Sequence, residues 1–359
     1  MFNEMDKQRI ADFVKLSNIS GSRADYVQGG GGNTSVKLSN GYMLIKASGF
    51  CLKDIREDSG YAPLDGGALR KFYRENQPES FADCEAAGAK CVKENAVTIE
   101  GLPQFRPSVE AGFHSLLKTY VMHTHSVYAN LAACTIGGKE IARRAFRNAP
   151  YSWGWVDYVN PGAKLAFAIR DELDRVEKET GKVPSVIMMQ NHGIIVHDDD
   201  AVSCMAIHSD ANARLAACYG MAENAFPGVA VEELAGGVYR ASCPYLKEKL
   251  TNCAYTQEQL LTQPLYPDQM VFLVGTYFQD KDEIHGGEAV ANTGNGELLM
   301  RMSRKQALAL TETLTAVFFI QEHIQSAGYT VSTMDDAARD FIANWESEKY
   351  RKSLNQKKD

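Results

Sequence analysis

Four consecutive glycines, Gly29–Gly32, set where regular structure can and cannot run in the N-terminal part of this chain. Glycine loses more backbone freedom on ordering than any other residue, so such a run ends any helix or strand and leaves a loop with exposed amides. Before it, Ile10, Phe13 and Val14 share one face of a helix over Met5 to Leu16, which Ser17-Asn18 is expected to end. A strand-like Tyr26-Val27 leads into the glycines. After them, Ser35 to Leu38 and Tyr42 to Lys46 read as strands joined by the short turn Ser39-Asn40-Gly41.

Further along, helices are expected over residues 65–75 and 108–118, the second starting at Pro107-Ser108. Tyr120 to Met122 reads as a short buried strand, followed by a helix after His125. Pro161-Gly162 breaks the chain before a helix from Lys164 to Thr180. The apolar strand Val186 to Met189 stops at Asn191-His192-Gly193 and resumes at Ile194 to Val196, and Ala201 to Ala222 is helical. This order suggests a mixed α/β domain over residues 1–230. Residues 231–359 form an extension expected to pack on it. Pro227 to Tyr266 reads as irregular with one short helix, Met270 to Tyr277 as a strand, and Arg304 to Ala327 and Met334 to Arg351 as helices, before a frayed tail, 352–359.

Several function classes drop out. The formal net charge of −7 disfavours a nucleic-acid surface, which needs clustered Lys and Arg. No apolar run approaches the roughly 18 residues of a membrane span. The N-terminus lacks the apolar stretch of a signal peptide, so a cytoplasmic protein is expected. Eight cysteines without a C-x-x-C pair read as small buried hydrophobes.

Chemistry concentrates in four places. His123-Thr124-His125 follows a strand, where period-two alternation puts both imidazoles on one side and suits a borderline cation such as zinc. Taken alone, H-x-H is more often one surface histidine and one buried histidine bonded to the backbone. His192 stands at the end of an apolar strand, beside a glycine that permits a sharp turn. His114, His197, His208, His285 and His323 lack ligand spacing and read as structural or solvated. Glu110 stands in a helix first turn, where it is either a capping carboxylate or, near a metal, a general base. The glycine loop with Asn33, together with Ser48-Gly49 and Ser108, offers amides and hydroxyls to an anion. It matches neither G-x-G-x-x-G nor a P-loop. Lys46 lies on the same strand face as Ser48 and adds a charge.

In this order, Gly32-Asn33-Thr34-Ser35-Val36, Ile45-Lys46-Ala47-Ser48-Gly49, Pro107-Ser108-Val109-Glu110, His123-Thr124-His125 and Asn191-His192-Gly193 resemble the class II aldolase/adducin family. The likeness covers about residues 5–225. In wording it is nearest to the aldolase half of bacterial two-domain rhamnulose-phosphate aldolase/dehydrogenases. No nucleotide-binding half follows, so dehydrogenase activity is expected to be absent.

The resemblance implies an α/β/α domain around a mixed, mainly antiparallel sheet, with a C-terminal α+β extension. It implies one Zn2+ per chain on His123, His125 and His192, Glu110 as acid/base, and a substrate phosphate held by Gly32, Asn33, Ser48, Gly49 and Ser108. It also implies a homo-oligomer, a tetramer in many members, and a sugar-phosphate substrate, with no nucleic-acid or membrane partner. The implied reaction is cleavage of a ketose 1-phosphate to dihydroxyacetone phosphate and an aldehyde through a metal-stabilised enediolate. Val109 departs from the pattern, since several phosphate-using members carry a second hydroxyl residue there. The family often brings a proton-donating tyrosine from its C-terminal region or a neighbouring subunit, and the C-terminal region here is too unlike the shorter members to place it. A 4-epimerase or dehydratase on the same scaffold is the first alternative, and needs a further acid/base group that no motif supplies. A non-catalytic adducin-like binding module is the second, though its signature is loss of the metal histidines, and all three are present.

Overall fold

The hairpin after the glycines seeds the main sheet. In the computed structural model, which describes residues 2–251, 257–273, 275–284 and 288–344, β1 (Asn33–Lys37) and β2 (Tyr42–Lys46) pair antiparallel with Ser35 opposite Ile45. With β3 (Tyr61–Asp65), β4 (Tyr120–Thr124), β5 (Trp153–Val156), β6 (Val186–Met189) and β7 (Gly193–Asp198) they form a sheet of order β3-β2-β1-β4-β7-β6-β5. Every neighbouring pair is antiparallel except β5 and β6, so the sheet is mixed and mainly antiparallel. Pro63 is tolerated in β3 because that strand lies at the sheet edge.

Helices α1 (Glu4–Gly21), α2 (Gly66–Glu75), α3 (Cys84–Glu94), α4 (Ala111–Leu116), α5 (Val127–Ala133), α6 (Gly138–Ala145), α7 (Ala163–Thr180) and α8 (Ala201–Ala217) cover both faces. Strand alternation sorts the apolar residues between them. Tyr120, Met122, Ile194 and Val196 join the core beneath α1, α5 and α8, while Val121, Ile187 and Ile195 pack with α4 and α7. His123 follows Val121 on the α4/α7 face.

Three helix ends differ from expectation. α1 runs through Ser17-Asn18 to Gly21, because Ser17 Oγ donates to Phe13 O (2.6 Å) and Ser20 Oγ to Leu16 O (2.8 Å). These hydroxyls are satisfied within the helix instead of capping it. The helix expected over 108–118 shrinks to α4, because Pro107-Ser108 is drawn to the loop after β2 by the Ala47–Pro107 bridge. α8 stops at Ala217, five residues early, where the next amides turn back onto Leu215 and Ala216.

The extension holds a second sheet of five strands, where a single strand was expected. β8 (Ala230–Leu234), β9 (Val238–Ser242), β10 (Thr276–Gln279), β11 (Ala289–Asn292) and β12 (Leu298–Met300) stand in order β10-β11-β12-β9-β8. Its helices are α9 (Pro244–Thr251), α10 (Gln257–Thr262), α11 (Pro267–Phe272), α12 (Arg304–Ser326) and α13 (Asp336–Asn344). The stretch read as irregular contains the β8–β9 hairpin. Gly236 and Gly237 turn it in the left-handed region (φ 75° and 71°), and polar Glu232 and Glu233 hide the strand pattern. The strand expected over Met270 to Tyr277 is helix α11 followed by β10. A short apolar run does not distinguish helix from strand, and Pro267 in the first turn starts the helix. The expected continuation of α13 to Arg351, the tail 352–359, Cys253 and His285 lie outside the described residues.

α12 starts at a Ser303 capping box and lies along α5, with Phe319 edge-on to Tyr128 at 6.4 Å. Its Leu314 and Val317 share one apolar core with Met122 and Ile194 of the main sheet. The described cysteines are free, and all but Cys218 are buried. No described helix is long and apolar enough to cross a membrane.

Candidate active site

Three backbone features bring the histidines together. β4 carries His123 near its end, and His125 follows where the strand stops. β1 sets Asn33 opposite His123 on one side, and β7 sets Ile195 opposite it on the other, so the β6–β7 turn with His192 meets the same strand end. Asn191 makes that turn in the left-handed region (φ 49°), a conformation asparagine tolerates. Its Nδ2 donates to Leu265 O (2.8 Å) and Ser332 O (2.9 Å), which fixes the turn against the C-terminal extension. Gly32 (φ 63°) passes so close to β4 that a Cβ there would lie 2.6 Å from His123 O.

The ring nitrogens of His123, His125 and His192 lie within 4.8 Å of one another, and all three residues are buried. Nε2 of His123 and Nε2 of His125 are 3.2 Å apart. Two nitrogens on one tetrahedral zinc, with bonds of about 2.0–2.1 Å, sit about 3.3 Å apart. His123 Nδ1 faces Ile194 O (3.1 Å), an arrangement that leaves Nε2 as the ligating nitrogen. Burial pushes the His123 imidazole down to about 3, so it is neutral, the form that binds metal. Glu110 Oε1, which faces His192 Nε2, is buried without a hydrogen-bond partner, as expected where an ion or a reacting group completes the set. The donor set therefore fits a divalent cation.

Glu110 does not cap α4. It occupies the position before the helix, makes no capping bond, and turns its carboxylate inward. Oε1 stands 3.4 Å from His192 Nε2 and Oε2 3.6 Å from His123 Nε2. Burial raises this carboxyl, but the facing imidazoles, His123 foremost, hold it well below the usual carboxylate range.

Asn33 links base and anion side. Its Nδ2 donates to Glu110 Oε2 and to Ser108 Oγ (3.2 Å). Its Oδ1 accepts from His114 Nε2, and Ser35 Oγ donates to His114 Nδ1 (2.7 Å). His114, read from sequence as structural or solvated, is thus the buried group that orients Asn33. Its spacing of four from Glu110 across one helical turn was the available signal. Gly32, Asn33, Ser48, Gly49 and Ser108 all line the cavity that also holds Glu110, His125 and His192. Ser48 N donates to Arg106 O (2.8 Å), which joins the two hydroxyl-bearing loops. Lys46 lines this cavity too, and its Nζ donates to Gly30 O (3.0 Å) and Phe50 O (2.9 Å), tying down the glycine loop. Asp268, from α11, reaches the cavity as well, with Oδ2 2.5 Å from His125 Nδ1. Nothing in the sequence distinguished it from an ordinary first-turn carboxylate.

Residues 12–213 match the family model described as Class II Aldolase and Adducin N-terminal domain. The protein named Uncharacterized oxidoreductase YuxG of Bacillus subtilis (strain 168) is 25% identical over 206 residues, 54% of this chain and 27% of that protein. The chain thus spans about a quarter of that relative. Among solved structures, the N-terminal class II aldolase domain of a conserved protein from Thermoplasma acidophilum is similar at 23% identity, with a TM-score of 0.46 over 57% of this chain and 91% of that one. L-fuculose-1-phosphate aldolase from Thermus thermophilus is similar at 13% identity, with a TM-score of 0.35 over 58% and 93%.

Proposed function

The chain belongs to the class II aldolase and adducin family, and on that premise we propose that it is a zinc-dependent aldolase cleaving a ketose 1-phosphate to dihydroxyacetone phosphate and an aldehyde. The observation that carries this reading is the convergence of three buried imidazoles on an inward-turned, uncapped Glu110. Three imidazoles suit a borderline cation better than a hard one, which favours zinc over magnesium. Held by His123, His125 and His192, the ion would act as a Lewis acid on the negative charge that develops beside the ketose carbonyl.

The chain's own groups do the rest. Glu110 Oε1, which has no hydrogen-bond partner, is the oxygen placed to exchange a proton with the carbon next to the carbonyl. In cleavage the substrate hydroxyl beside the breaking carbon–carbon bond gives up its proton as it becomes the aldehyde carbonyl, and Glu110 takes up that proton and delivers it to the carbon left behind; in condensation Glu110 removes the proton from that carbon and the new hydroxyl receives it. Its other oxygen is held by Asn33, so the base keeps its orientation through the cycle. The amides of Gly32 and Gly49 and the hydroxyls of Ser48 and Ser108 supply donors for the phosphate, and Asn33 serves it by holding the Ser108 hydroxyl in place. Burial of Glu110, His123 and His192 limits water at the reacting carbon.

A coupled assay for dihydroxyacetone phosphate over a panel of ketose 1-phosphates tests the reading. Release from at least one member, abolished by chelation and restored by zinc, is expected. Interconversion of 4-epimers without release would overturn it.

A further inference from the structure

We propose that Asp268 is a positioning residue of the metal centre, supplied by a segment outside the family-matched residues 12–213. The inference rests on the reading of His125 as a metal ligand.

Asp268 is only 1% exposed, and Oδ2 lies 2.5 Å from His125 Nδ1, on the far side of the ring from the nitrogen that meets His123. A carboxylate in that place takes the Nδ1 proton as its hydrogen bond and leaves the Nε2 lone pair for the cation. It also fixes the ring's rotation and raises the basicity of the ligating nitrogen. An aspartate is costly to bury without a defined partner, so its placement against this imidazole is specific.

The segment around Asp268 is built to hold that geometry. Tyr266 Oη donates to Gln28 Oε1 (3.2 Å) at the foot of the glycine loop. Leu265 O accepts from Asn191, the residue before His192, and Leu265 N donates to Gln269 Oε1 (2.8 Å). Residues 265–268 therefore touch the glycine loop, the H-x-H strand end and the Asn-His-Gly turn together. Gly31 shows the same dependence from the other side: a Cβ there would collide with Asp268 Oδ2. A side chain at position 31 would push the carboxylate off His125.

The test uses the whole 359-residue chain stripped of metal. Zinc affinity of the parent, Asp268→Asn, Asp268→Ala and Gly31→Ala is read by competition with a chromophoric chelator, and cobalt-substituted samples give the visible spectrum of the ligand field. Circular dichroism of the metal-free samples checks the fold. Loss of such a partner costs about 10- to 100-fold in metal affinity. Asp268→Asn, which keeps shape and one acceptor, is expected near the lower figure, Asp268→Ala near the upper, both with a shifted cobalt spectrum. Gly31→Ala should weaken zinc in the same direction. Folded variants that bind zinc as tightly as the parent, with its cobalt spectrum, would overturn the inference and leave the metal site intact. Failure of both Asp268 variants to fold would overturn it too, by making the residue structural. A parent that binds no zinc would overturn the metal reading itself.

Discussion

Replacing Glu110 by glutamine changes the chemistry of the site while leaving its shape. Asn33 Oδ1 is held by His114 Nε2, and His114 Nδ1 is held by Ser35 Oγ, so the Asn33 amide cannot turn over. Asn33 Nδ2 goes on pointing at residue 110, and the new side chain must answer it with its carbonyl oxygen. The amide NH2 then faces His192, where Oε1 and the proton-exchanging lone pairs were. One charge-assisted hydrogen bond becomes a neutral one, a loss of about 1 kcal/mol against a typical stability of about 5–15 kcal/mol, so the fold survives. The three imidazoles are untouched and zinc content should stay at the parent's level. Lost proton transfer costs about 100- to 10,000-fold in kcat, or about 2.7–5.4 kcal/mol of barrier. The coupled release assay, run on samples matched for zinc, measures this. A kcat within about threefold of the parent would refute the base assignment and return Glu110 to a helix-start carboxylate.

Asn33→Ala removes a donor shared by Ser108 and Glu110. Ser108 then loses the bond that aims its hydroxyl, so substrate affinity should fall by up to about 10-fold, from about 0.5–1.5 kcal/mol for one neutral hydrogen bond, and inorganic phosphate should compete with substrate on the parent at millimolar levels. Unchanged affinity, with phosphate failing to inhibit, would mean that the substrate is not a phosphate ester and that Val109 was the pointer to it. Stability should also fall in acid. Burial pushes His197 and His208 down to about 3 from 6.5, so below about pH 6.5 the unfolded chain binds protons that the folded chain refuses. This contribution is complete above pH 6.5 and is lost as the pH falls towards 3, at about 2 kcal/mol per histidine by pH 5. Urea unfolding of chelator-treated protein at pH 7 and pH 5 measures it, and His208→Gln should reduce the difference; equal stability at both pH values would contradict it.

Much of the site was legible because its residues lie in short local patterns. H-x-H on a strand, a histidine beside a turn glycine, and a glycine run before a hairpin each carry their geometry within a few residues. What stayed hidden depends on contacts across the fold. Asp268 meets His125 across 143 positions, and no local pattern marks it. His114 looked like a core histidine and is buried like one; its bond to Asn33 follows from the pairing of β1 with β4. The second sheet was missed for a different reason. Its strands are short, and β8 carries two glutamates where apolar alternation would have betrayed it. Met270–Leu273 was misread because four apolar residues satisfy either period.

The most direct test of the account is the zinc content of the purified protein beside that of a His123→Ala/His125→Ala variant, by elemental analysis. The account predicts about one zinc per chain in the parent and almost none in the variant, since one imidazole does not retain the ion. Equal metal content in the two would contradict it, because the histidines would then not be the ligands and the proposed chemistry would have no centre.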